Sequence, residues 1–134
     1  MKRATLFTDG GARGNPGPAA IGFVLSGIGN AAILYKEYIG KGTNNQAEYR
    51  ALLAGITRAK KEGVEDLMCY LDSELVVKQV RGEYRVKNEE LKLLLADIKK
   101  LLPKFRSISF EHVPRAKNAA ADKLVNEALD EQSN

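Results

Sequence analysis

Three residue types are scarce in this chain of 134 residues: it has one cysteine, one histidine and no tryptophan. The single Cys69 excludes an intramolecular disulfide framework and suits a reducing cytosol. No run approaches the ~20 apolar residues of a membrane-spanning helix. The amino-terminal segment has a charged tip but no apolar signal core, because Asp9, Gly10 and Gly11 interrupt it. Internal repeats and low-complexity tracts are absent. The only Gly/Pro-rich stretch, Gly10 to Pro18, is too short for a linker. These absences lead to the expectation of one cytoplasmic domain, residues 1–134, without a membrane anchor and monomeric by default.

What remains is an ordinary globular mixture, 44% hydrophobic and 28% charged, which excludes collagen-like, coiled-coil and disordered classes. The net charge is +4, from 21 Lys+Arg against 17 Asp+Glu. That alone is a weak hint of a polyanionic partner. The distribution says more. Residues 119–134 carry −3, so the first 118 carry +7, and segment 81–117 holds ten basic and five acidic residues.

Hydrophobic patterning predicts strands over residues 4–9, 19–26 and 31–39, close enough in sequence to form an antiparallel meander. Asn44 or Asn45 is expected to cap a helix running to about Glu62 and ended by Gly63. Leu67 to Leu71 reads as a fourth strand, followed by a helix from about Ser73 to Val80. Leu91, Leu94, Leu95, Ile98, Leu101 and Leu102 form the apolar stripe of a helix starting near Asn88 and stopped by Pro103. Ile108, Phe110 and Val113 are assigned to a fifth strand. A last helix from about Asn118 carries Ala121, Leu124, Val125, Ala128 and Leu129 on one face. The expected class is α/β: a five-stranded mixed sheet, three meander strands then two parallel ones, with helices packed on it.

Most acidic residues, including Glu62, Glu65, Asp66, Glu89 and Glu90, fall at helix ends or turns where solvated carboxylates belong. Four do not. Asp9 and Asp72 close apolar strands, and Glu48 and Asp122 sit in the first turns of apolar helices. Ligands bind open α/β sheets at the rim where strands end and helices begin. Buried carboxylates need a partner there, and without a matching set of buried cations a divalent metal is the economical one. All-oxygen ligands favour Mg²⁺ or Mn²⁺. Taken singly, Asp72 would serve as a helix N-cap, Glu48 and Asp122 would complement helix dipoles, and Asp9 would fold over a Gly10-Gly11 turn. Taken together, the four point to one site.

Four motifs resemble those of the type 1 ribonuclease H family over nearly the whole chain: Thr8-Asp9-Gly10-Gly11, Thr43-Asn44-Asn45-Gln46-Ala47-Glu48, Leu71-Asp72-Ser73, and His112-Val113-Pro114 with Asn118-Ala119-Ala120-Ala121-Asp122. The resemblance implies a ribonuclease H-like fold, with Asp9, Glu48, Asp72 and Asp122 as catalytic and metal-binding carboxylates. It implies Mg²⁺ or Mn²⁺, two ions per site with substrate, and hydrolysis of the RNA strand of RNA–DNA hybrids to 5′-phosphate and 3′-hydroxyl ends. Asn15, Asn44 and Asn45 then match positions that reach the minor groove, the backbone at Gly10 and Gly11 is free to approach the ribose because no side chain intervenes, and Lys41, Thr43 and Asn88 match a pocket for a DNA-strand phosphate. Asn44 and Asn88 also read as helix caps. Other activities on the same fold remain open: cleavage of double-stranded RNA or RNA–DNA junctions, or hybrid binding with weak catalysis.

Two departures from the family pattern stand out. The loop after the last strand is short and lacks the family's histidine, running from Pro114 through Arg115-Ala116-Lys117 to Asn118. His112 reads as structural, which leaves Arg115 or Lys117 as the candidate phosphate contact. Second, the basic, Trp-bearing handle of some members is missing, since Arg81 to Lys87 joins two helices directly. With no hybrid-binding domain expected before Met1, affinity then rests on scattered cations such as Lys41, Arg81, Arg85 and Lys87, and should be salt-sensitive.

Overall fold

The computed structural model describes residues 2–133. Strand β1 (Arg3–Ala12) alternates: Ala4, Leu6 and Thr8 are buried on one face, and Thr5, Phe7 and Asp9 turn to the other. It pairs antiparallel with β2 (Gly17–Ser26), which pairs antiparallel with β3 (Ile33–Gly42). On its other side β1 runs parallel to β4 (Asp66–Leu71), and β4 runs parallel to β5 (Ser107–His112). The sheet order is β3-β2-β1-β4-β5, the mixed five-stranded sheet expected from the sequence.

Helix α1 (Asn44–Lys61) ends at Gly63, whose φ of +82° costs a residue without Cβ nothing. Helices α2 (Glu74–Val80) and α3 (Glu89–Leu101) follow, and α4 (Ala119–Ser133) closes the described chain. A 3₁₀ turn at Arg115–Asn118 leads into α4. The main core lies between the sheet and α1 to α3, where Leu6, Leu25, Leu52, Ile56, Cys69, Leu71 and Ile98 are fully or almost fully buried. Each such side chain contributes about 1.5–3 kcal/mol on transfer from water. Val125, Ala128 and Leu129 of α4 form a smaller cluster with Ala20 on the opposite face. Two helical layers therefore press on β1 and β2 from both sides.

Several local expectations are corrected. Thr43, not Asn44 or Asn45, caps α1, in a capping box in which its hydroxyl accepts from the Gln46 N–H and Gln46 accepts from the Thr43 N–H. Ser73, not Asp72, caps α2, which leaves the Asp72 carboxylate uncommitted to that role. Gly10 and Gly11 are strand residues paired with Ile21 and Ala20, not a turn, so Asp9 lies inside β1 instead of closing it. Val113 falls just beyond β5, although its N–H still donates to the Leu71 carbonyl. Asp66 is buried, not solvated. It accepts from Arg106 at 2.5 and 3.0 Å and from the Ser107 hydroxyl at 2.7 Å, and the Arg106 hydrogen bond is the main reason its pKa is lowered.

Candidate active site

The last parallel pair between β1 and β4 is Thr8 with Leu71, so Asp9 and Asp72 are the next residues on both strands. Their strands diverge there, and two carboxylates open side by side at one rim. Glu48 arrives from the first turns of α1, and its Oε1 accepts from the Gly10 N–H at 2.8 Å. Carboxylate oxygens of Asp9, Glu48 and Asp72 all lie within 4.8 Å of one another. Asp122, from the first turn of α4, lies outside that trio but lines the same cavity of about 500 Å³. Gly10, Gly11, Asn44, Asn45 and Arg115 line it as well.

Two close approaches build this rim. A Cβ on Gly10 would lie 2.2 Å from the Ala47 carbonyl carbon and 2.5 Å from the Glu48 nitrogen, so only glycine lets α1 start against β1. Gly22 faces Asp9 across the β1–β2 pair, and a Cβ there would meet Leu124 Cβ at 2.8 Å and the Ala121 carbonyl at 2.9 Å. That glycine lets α4 sit low enough for Asp122 to reach the cavity.

Electrostatics follow from crowding. Burial is the largest cause raising the Asp9 carboxyl pKa, followed by the charges of Glu48 and Asp72 and a contact from Asp122. Burial also raises Glu48, partly offset by its hydrogen bonds with Asp9 and the Gly10 N–H. Such a cluster needs positive charge. Arg115 supplies some, 4.0 Å from Asp122 and lowering Glu48 through space. An all-oxygen donor set of this density suits hard divalent cations.

The other residues singled out by sequence divide. Asn44 Oδ1 accepts from the Ala12 N–H at 2.8 Å, and Asn15 Oδ1 accepts from the Asn44 N–H at 3.0 Å. Thr43 and Asn88 spend their side-chain oxygens as helix caps. Lys41 lies in a separate groove with Gln46, Arg50 and Glu90. Arg115 and Lys117 part company: Arg115 lines the carboxylate cavity, and Lys117 lines a smaller one beside Phe7 and Val24. Sequence reasoning missed Gly22, Asn118 and Asn126, whose amide lies 3.2 and 3.4 Å from the Asp122 carbonyl and carboxylate. Only the Asn118-to-Asp122 motif hinted at Asn118.

The sheet order and the acidic rim are those of a ribonuclease H-like domain. The family model described as "Reverse transcriptase-like" matches residues 7–128, and the chain belongs to that family. It is 45% identical over 130 residues to the Ribonuclease HI of Halobacterium salinarum, covering 96% of this chain and 65% of that protein. It is 43% identical to the Bifunctional protein Rv2228c of Mycobacterium tuberculosis, covering 96% of this chain and 36% of the other. The chain thus spans about a third to two thirds of these relatives. Among solved structures, LC11-RNase H1 in complex with RNA/DNA hybrid superimposes with a TM-score of 0.90 at 42% identity, covering 98% and 99% of the two chains.

Proposed function

We propose that the chain is a metal-dependent endoribonuclease that hydrolyses the RNA strand of RNA–DNA hybrids in the cytoplasm. The observation that carries this is the convergence of Asp9, Glu48 and Asp72 within 4.8 Å, with Asp122 on the same cavity. Similarity to a ribonuclease H1 whose structure contains an RNA/DNA hybrid supports the substrate class.

In this reading Asp9, Glu48, Asp72 and Asp122 hold Mg²⁺ or Mn²⁺. Such a pair of ions supplies an activated water and charge stabilisation at the leaving 3′ oxygen. The chain does the positioning. Glu48 is pinned by the Gly10 amide, and Asp9 is held inside β1 by the pairing with Gly22 of β2. Because the oxygens of Asn15 and Asn44 already accept backbone N–H groups, their NH₂ groups are left as donors. Donors on Asn44, which lines the cavity, and on Asn15, bonded to its backbone, suit the acceptors of the minor groove, where an RNA strand displays its 2′-hydroxyls. Gly10, Gly11 and Asn45 complete that surface. Lys41, beside Arg50, takes a DNA-strand phosphate, assisted by the amino-terminal turns that Thr43 and Asn88 cap. Arg115 stands where it can neutralise the scissile phosphate, in place of the family's loop histidine.

Labelled hybrid, RNA duplex and DNA duplex, each incubated with Mg²⁺, Mn²⁺ or chelator, test the reading. Hybrid cleavage that disappears with chelator and in Asp72→Asn is expected. Cleavage surviving both chelation and Asp9→Asn refutes the metal site, preferential cutting of the RNA duplex reassigns the substrate, and binding without cutting in either metal makes the chain a binding module.

A further inference from the structure

Asn118 is almost fully buried at the end of the 3₁₀ turn before α4, with a relative exposure of 1%. Its Nδ2 donates to the Thr8 carbonyl at 2.8 Å and to Asp72 Oδ2 at 3.2 Å. Its Oδ1 is buried and has no hydrogen-bond partner among the described residues. An orphaned buried acceptor is destabilising. A side chain chosen only to fill space would avoid that cost with an apolar residue of the same shape. The amide is needed for its donors, and both of its N–H bonds are spent.

We infer that Asn118 is a positioning residue for Asp72: it fixes one carboxylate oxygen against β1 and leaves the other for the cation shared with Asp9 and Glu48. This rests on the metal site proposed above. An amide suits the task because it donates without adding positive charge that would compete with a metal. A lysine or arginine here would neutralise the carboxylate it was meant to present. The two bonds join Asn118 to Thr8, 110 residues away, and to Asp72, 46 residues away, so the turn before α4 sets the geometry of a ligand at the end of β4. Partners of this kind change metal affinity or activity by about 10–100-fold when removed from metal sites.

The test compares wild type with Asn118→Leu and Asn118→Ser. Mn²⁺ binding to the folded protein without nucleic acid is followed by electron paramagnetic resonance, urea midpoints by circular dichroism, and hybrid cleavage by steady-state kinetics. Mn²⁺ affinity about tenfold weaker in Asn118→Leu, with kcat reduced and the hybrid KM within twofold of wild type, is the expected result. Asn118→Ser, which keeps one donor, should fall between, and remains informative if the leucine variant does not fold. In an Asp72→Asn background, Asn118→Ser should weaken Mn²⁺ binding no further, since the two residues act as a unit. Folded variants that bind Mn²⁺ and cut like wild type overturn the role of Asn118. Losses in urea midpoint, KM and kcat that move together, and that add to Asp72→Asn, overturn it in favour of a structural part. A wild-type protein that binds no Mn²⁺ refutes the underlying metal site, and this inference with it.

Discussion

Neighbouring glycines in β1 should respond unequally to the same added methyl group. At Gly10 a Cβ would sit 2.2 Å from the Ala47 carbonyl carbon, where ordinary contact begins at 3.4 Å. Backbone, not a flexible side chain, is in the way, so the start of α1 must move from β1 by about 1 Å. That displacement stretches the 2.8 Å Gly10 to Glu48 hydrogen bond past its useful range. A hydrogen bond to a charged group is worth about 1.5–3 kcal/mol, and overpacking costs about 1–3 kcal/mol. Gly10→Ala should therefore lose about 2.5–6 kcal/mol in urea unfolding. A displacement near 1 Å at a reacting group costs about 100-fold in rate, so hybrid cleavage should fall at least that far. At Gly11 the added Cβ meets only Val125 Cγ1 at 3.7 Å, an ordinary contact. Gly11→Ala should keep the wild-type urea midpoint, and any effect should appear in KM for the hybrid. A Gly10→Ala protein within about 1 kcal/mol of wild type would refute the close-packed account of the rim.

Other expectations follow from the charges. Asp9 and Glu48 have raised pKa values, so the folded protein binds protons more tightly there than the unfolded chain does. Their contribution to stability is then present at low pH and lost as pH rises through the raised values. In chelator, the urea midpoint should fall from about pH 5 to about pH 9, with added Mn²⁺ restoring it. Asp66 has the opposite sign. Its pKa is lowered by Arg106, so its contribution is present above the unfolded value and lost as pH falls through the folded one. Asp66→Asn should lower the urea midpoint at neutral pH, with the difference closing in acid. Hybrid affinity, measured by fluorescence anisotropy, should fall steeply from about 50 to about 200 mM salt, and a flat response would contradict binding by scattered cations.

The elements most legible in the sequence were those with strong periodicity and local punctuation. The stripe from Leu91 to Leu102, the cap at Asn88, and the apolar run before Asp72 each announce themselves within a few residues. The carboxylates were legible because burial of a charge violates a local rule. What escaped depended on distant partners. Asp66 looks like a turn residue until Arg106 and Ser107 are brought beside it by β5. Gly10 and Gly11 have the composition of a turn, and only pairing with β2 makes them strand. Gly22 looks like any small residue in a strand, and its purpose appears once α4 lies on it. The capping box Thr43-Asn44-Asn45-Gln46 could have been read locally, but two adjacent asparagines masked it.

The pressing of α4 onto β1 and β2 has a consequence in time. Asp122, Asn118 and the helix that seats on Gly22 lie far along the chain from Asp9, and no shorter segment supplies their equivalents among the described residues. A nascent chain leaving the ribosome can pair its first three strands and dock α1 while its carboxylate rim is still incomplete. The full set of four carboxylates on one cavity then arrives as a late event in synthesis, after α4 has emerged and closed on the sheet.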